Sequence, residues 1–185
     1  MLQEIMDSLA DPHARHAMMV HWPIVLMPVA VLLLGWFAAT RFKSKPVGIA
    51  AVLALLGAMA GAGLAAGAGE EAYEAVEAVT PALTPAEEAA LERHEELGEG
   101  AWLWPGACVL LAAGGLLPKP KKAAALLASV ALIASIGVSA RFAWTAHTGG
   151  SIVYDHGLGV PPRGQSSALP PATGGTHHAE SEDDD

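Results

Sequence analysis

Long apolar stretches alternate with short polar ones along this chain, and the alternation predicts helices. Residues 17–40 and 46–69 each run 24 positions without Asp, Glu, Lys or Arg. Residues 100–118 supply 19 such positions and residues 123–140 another 18, the apolar character resuming past Arg141 to about residue 147. At about 1.5 Å per residue, 24 residues reach about 36 Å as a helix, enough for a hydrocarbon layer about 30 Å thick. Backbone amides in lipid have to be paired within the segment, so four spanning helices are expected, at about 17–40, 46–69, 100–118 and 123–147. A secretory signal peptide is a poor reading of the first. Its apolar run is too long, and Glu4, Asp7 and Asp11 stand where a basic region belongs.

The polar stretches sort by charge. Arg41, Lys43 and Lys45 lie between the first two runs, and Lys119, Lys121 and Lys122 between the last two, with no acid in either loop. Residues 70–99 hold ten glutamates against Arg93 alone. Short basic loops stay in the cytoplasm. Both termini and the acidic loop are therefore expected outside, in the periplasm if the membrane is a bacterial inner membrane. The acidic loop carries a helix start of its own, with Thr84 as N-cap, Pro85 in the first turn and Glu87 closing a capping box. Pro81 and Pro85 mark a hairpin turn. Ala90, His94, Leu97, Ala101, Trp104 and Cys108 share one stripe towards a partner helix.

The expected fold is all-α: an integral membrane four-helix bundle spanning residues 17–160, with an extramembrane helical hairpin at 70–99 between spans two and three. Residues 1–16 form an outer N-terminal segment. Residues 161–185, rich in Pro, Gly, Ser and acids, cannot bury a core and are expected to be a disordered tail. Gly57 with Gly61, and Gly63 with Gly67, repeat the GxxxG spacing that lets helices approach in lipid. Packing within the chain is the first expectation from them, a homo-oligomer the second. Pro28 is expected to kink the first span.

Composition fits this picture. Only 16% of the 185 residues are charged, against 52% apolar. The net charge of −9 belongs to the outer face, and no basic surface outside the cytoplasmic turns suits a nucleic acid. Cys108 is the only cysteine, which excludes an intrachain disulfide.

All eight histidines fall on the outer side: His13, His16 and His21 before or at span one, His94 before span three, His147 at the end of span four with His156 following it, and His177 and His178 in the tail. Imidazoles ligate haem iron, copper, zinc and nickel, and bundle cores commonly house them. His21, Val25, Pro28, Leu32 and Gly35 share one stripe, and Ile133, Gly137, Ala140, Trp144 and His147 another. Either is a candidate to face the bundle axis, with the small residues of 61–69 making room for a haem ring. Arg141 inside span four needs a partner, from Glu70, Glu71, Glu99, Asp155 or a haem propionate. Plainer roles exist for each: interfacial anchors for His21 and the tryptophans, a helix cap for His147, a loop ion pair for Arg141.

Two segments carry a resemblance. His16-Ala-Met-Met-Val-His21-Trp22-Pro23-Ile24 opens span one, and Gly149-Gly150-Ser151-Ile152-Val153-Tyr154-Asp155-His156-Gly157-Leu158-Gly159-Val160 ends the folded part. They resemble the bacterial four-span membrane family known as "domain of unknown function 2231". Trp22 and Ala17 depart from its usual Phe and Pro. The resemblance implies His16, His21, His94 and His156 as its histidines, and some of its relatives carry cytochrome-like domains. On the residues, Gly149-Gly150 is expected to break the last helix and fold His156 over the bundle mouth.

The expectation is therefore a histidine cluster at the outer face that binds haem b or, second, a bare transition-metal ion, and passes electrons to a periplasmic redox protein or within a larger membrane complex. Haem ligation is assigned to His21 and His94, then His156 and His16, with Arg141 neutralising a propionate or carboxylate. A bare metal would use His21, His94, His156 and His147. The first alternative is a non-redox subunit, without cofactor, whose acidic hairpin docks a partner. A small transporter ranks third. No catalytic triad, phosphate loop or deep carboxylate pair argues for an enzyme.

Overall fold

The computed structural model describes residues 3, 6, 9–79, 82–117 and 120–159. Among them it is helical throughout, with no strand: α1 Pro12–Ala39, α2 Lys45–Val79, α3 Pro85–Gly98, α4 Leu103–Leu116 and α5 Lys121–Tyr154. The expected tail at 161–185, with His177 and His178, and the turn residue Pro81 lie outside the described residues.

Local chemistry sets the ends of these helices. Asp11 caps α1, its carboxylate accepting the His13 N–H at 3.0 Å, with Pro12 in the first turn. Pro23 and Pro28 both sit inside α1, which continues through them to Ala39. The capping box at α3 is present as its sequence predicts: the Glu87 carboxylate accepts from the Thr84 N–H at 2.6 Å, and the Thr84 hydroxyl accepts from the Glu87 N–H at 3.4 Å. Gly100, at φ +60°, turns the chain between α3 and α4.

Three helices, α1, α2 and α5, are long and apolar enough to cross a membrane. The third expected span differs. The turn at 99–102 consumes its start, and α4 keeps 14 residues, about 21 Å of helix. The last helix also differs from expectation, because α5 does not break at Gly149-Gly150 but runs on to Tyr154. It ends where Gly157 adopts φ +69° and its N–H bonds to the Val153 carbonyl at 3.1 Å.

α1 packs on α2 and α5, and α4 packs on the same two helices. The core they share is made of small side chains with a few large ones: Met27, Ala30 and Leu34 of α1, Ala51, Leu55 and Ala58 of α2, Cys108 and Ala112 of α4, Ala131 and Val138 of α5. A second, smaller core of Val76, Leu91, Ile152 and Leu158 joins α3 to the ends of α2 and α5.

Small residues decide which faces meet. A Cβ on Gly61 would lie 2.5 Å from the Trp22 Cβ and 3.0 Å from Pro23 Cδ, and one on Gly57 would lie 2.8 Å from a Leu26 methyl. These glycines therefore seat α1 against α2 within one chain and leave no room beside them for a ring. The outer surface is apolar. Leu32, Leu110, Leu126 and Ile133 are each more than 60% exposed, and all five tryptophans are exposed. A water-soluble surface does not carry such a belt.

Both stripes proposed for the axis turn out to face outward. His21, Val25, Pro28 and Leu32 are exposed, and α1 buries Pro23, Met27, Ala30, Leu34 and Phe37 instead. Ile133, Gly137, Ala140, Trp144 and His147 are likewise exposed, while α5 buries Ala128, Ala131, Ser135, Val138 and Phe142. Along the first half of α5 the inward positions Ala128, Ala131 and Ser135 are small, as close backbone approach in lipid requires.

Candidate functional site

At the glutamate-rich end, α1 and α3 bring two histidines together. The rings of His16 and His94 lie 6.1 Å apart, centroid to centroid, with their planes at 84°. Each is half-buried and each is held by an oxygen acceptor. His16 Nδ1 lies 2.9 Å from the Ala65 carbonyl of α2, which can only accept, so Nδ1 carries the proton. His94 Nδ1 lies 3.0 Å from the Thr148 hydroxyl of α5. That hydroxyl donates to the Thr145 carbonyl at 2.8 Å, so it receives the Nδ1 proton of His94. In their neutral forms both rings keep the lone pair on Nε2. A histidine whose Nδ1–H is engaged by protein oxygen is the usual outer-shell arrangement of an Nε2 metal ligand.

Two glycines make the seats. A Cβ on Gly69 would come within 3.0 Å of both Cε1 and Nδ1 of His16. One on Gly149 would come within 2.8 Å of the His94 Cε1. Gly149 therefore serves as a recess for an imidazole inside a continuous helix, and the Gly149-Gly150 pair is not a hinge. Burial holds the His94 imidazole below its ordinary value. The neighbouring His16 adds to the effect, and hydrogen bonding at the Thr145 carbonyl opposes it.

His13 is a third histidine at this mouth, one that sequence reasoning left out of the site. It precedes His16 by three residues, nearly one helical turn, and that spacing was the available signal. Its Nδ1 lies 3.5 Å from an Asp11 carboxylate oxygen, and its buried Nε2 has no hydrogen-bond partner. Gly159, at φ +74°, closes over it; a Cβ there would lie 2.9 Å from the His13 Cδ2. Arg15 pairs with the Glu71 carboxylate, tying α1 to α2 at the same level.

The remaining sequence candidates are elsewhere. His21 lies about 140° round α1 from His16, exposed, its Nδ1 2.6 Å from the Ala17 carbonyl. His147 is exposed beside Trp144, with ring centroids 5.6 Å apart. His156 interacts with Glu87 at the start of α3, about two turns before His94. Glu87 itself is held below the ordinary carboxylate value by the Thr84 N–H and then its hydroxyl, against some desolvation; His156 adds a smaller pull in the same direction. Arg141 takes neither a loop carboxylate nor any other ion pair among the described residues. One guanidinium nitrogen donates to the Leu97 carbonyl at 3.1 Å, and the group lies 5.5 Å from the centre of the Trp104 ring.

Among the described residues, no three His, Cys, Asp or Glu side chains are placed to hold one metal ion together. The arrangement at the mouth is thus a pair of imidazoles, with His13 beside it. No protein-family model, curated protein or solved structure matches the chain.

Proposed function

We propose that the chain is an integral protein of a bacterial inner membrane whose paired imidazoles, His16 and His94, bind a transition-metal ion at the outer mouth for electron transfer. Its four spans are α1, α2, α4 and α5, arranged as a bundle with α3 outside. Both termini and the acidic hairpin are outside. The positive-inside rule supports this orientation, since α2 and α5 each start at a basic turn. The exposed tryptophans support it too, with Trp22, Trp102, Trp104 and Trp144 towards one end of the spans and Trp36 towards the other.

The observation that carries the metal reading is the engaged Nδ1 on both rings at a 6.1 Å separation. Rings at that separation are near enough for both to reach a single ion. Imidazole suits copper, and His16 and His94 would be the side chains to hold it. Held by His16 and His94, copper would supply one-electron chemistry towards a docked partner. Haem b is the second reading, favoured by the same separation. It fits less well because Gly57 and Gly61 are filled by α1 side chains and Gly69 by His16 itself.

Titrating the detergent-purified protein with copper(I) against a competing chelator tests the proposal. One ion per chain is expected, lost in His16→Ala and in His94→Ala and kept in His21→Ala. Wild-type protein that takes up neither copper, zinc nor haem overturns the metal reading. The acidic hairpin, nine of whose ten glutamates are exposed, then remains as a docking surface for a basic partner.

A further inference from the structure

Arg141 faces a groove that the histidine site does not use. The groove lies between α4 and α5, has a volume of about 460 Å³, and is lined by Trp104, Ala107, Cys108, Gly137 and Val138 with Arg141 at one end. Its walls are almost wholly apolar, and Ala107 and Gly137 are exposed along it, so it opens to the surroundings of the bundle. A Cβ on Gly137 would meet nothing within 4 Å. The guanidinium that ends the groove is incompletely satisfied. Its Nε is buried without a hydrogen-bond partner, and the contacts of the group are one carbonyl and one aromatic face. A buried donor and an uncompensated cation both require an acceptor, and an anionic one fits best.

The depth of Arg141 indicates which anion. It lies 20 residues along α5 from Lys121, about 30 Å, which is the thickness of a hydrocarbon layer. With the lysines at the cytoplasmic boundary, Arg141 reaches the outer one, level with the exposed Trp104 and one turn from Trp144. Phosphodiester groups are the anions at that plane. We propose that the groove binds one phospholipid of the outer leaflet, its phosphate on the Arg141 guanidinium and its acyl chain along Ala107, Cys108, Gly137 and Val138. The inference rests on the spans proposed above and is independent of the metal at His16 and His94. It also gives Arg141 a counter-ion without a loop glutamate or a haem propionate.

Delipidated full-length protein, reconstituted in nanodiscs and released into native mass spectrometry with phosphatidylglycerol, provides the test. Wild type is expected to retain one phosphatidylglycerol that millimolar inorganic phosphate does not displace. Arg141→Gln removes the charge and Gly137→Leu fills the open groove without touching it. Arg141→Gln should weaken retention by about tenfold, the factor that one charge-assisted hydrogen bond is worth, and Gly137→Leu should weaken it by excluding the acyl chain. Ala140→Leu, exposed and outside the groove, should retain lipid as wild type does. Equal retention by wild type and both groove variants overturns the proposal, as does displacement by free phosphate or retention of a quinone in place of the phospholipid. A protein that fails to enter the nanodisc bilayer refutes the spans instead, so the two failures are told apart.

Discussion

Gly149 and Gly150 are adjacent in one helix, and alanine at the two positions should move stability in opposite directions. Alanine in place of glycine inside a helix contributes about 1 kcal/mol through backbone entropy. At Gly150 nothing opposes this gain, because the nearest atom a Cβ would meet is Tyr154 Cδ2 at 3.9 Å, an ordinary contact. At Gly149 the Cβ would stand 2.8 Å from the His94 Cε1 and 3.3 Å from its Nε2. Carbon atoms settle at about 3.5–4.0 Å, so the ring has to retreat by about 0.7 Å or more. That retreat costs about 1–3 kcal/mol as overpacking and strains the Nδ1 bond to Thr148, worth about 1 kcal/mol. The net expectation is a loss of about 1–3 kcal/mol for Gly149→Ala and a gain of up to about 1 kcal/mol for Gly150→Ala. Denaturant titration of the micellar protein, followed by tryptophan fluorescence, reads the sign. Imidazole NMR of ¹⁵N-histidine-labelled protein shows whether the His94 resonances alone have shifted. If both variants gain stability equally and His94 is unmoved, the glycine recess is refuted.

Further outcomes are expected. Gly61→Ala puts a Cβ against Trp22 and Pro23 and should cost about 1–3 kcal/mol, whereas Gly67→Ala, with nothing within 4 Å, should be neutral or stabilising in the same denaturation assay. Gly69→Ala crowds His16 and should weaken copper(I) binding while leaving the capping of α3 intact, as read by chelator competition and by hydrogen exchange respectively. His94 has a pKa below its unfolded value, so the unfolded chain takes up the proton first; stability should fall as pH drops below about 6.5 and level off below the folded value. His94→Gln should flatten that part of the stability–pH curve, and an unchanged slope would show the ring to be solvated. Thr84→Ala removes the capping box, costs about 1 kcal/mol, and should speed hydrogen exchange in the first turn of α3 without affecting α1. The Glu87 carboxyl is lowered in the folded state, so its contribution persists above the unfolded value and is lost as pH falls through the lowered one.

The three long apolar helices and the start of α3 are legible along the chain because they depend on local chemistry. A run without charge has to pair its own amides in lipid, and Thr84, Pro85 and Glu87 make their hydrogen bonds within one turn. The mouth was legible as a region too, since His16 and His94 both precede apolar runs. Rotation of the helices was not legible from polarity. Apolar side chains surround α1 and α5 on every side, so the stripes through His21 and His147 look as inward-facing as their neighbours. Side-chain size held the missing signal: Ala128, Ala131 and Ser135 turn inward while Leu126 and Ile133 turn outward. Nor does a lone glycine pair announce its use. Gly149 and Gly150 have the composition of a hinge, and only the ring of His94, arriving from a helix some 50 residues earlier, makes the first of them a recess. Helical segments and caps follow from the chain because their energies are local or set by the solvent. The choice of His16 over His21 as partner to His94 belongs to packing, where a methyl group's worth of space decides which faces can touch.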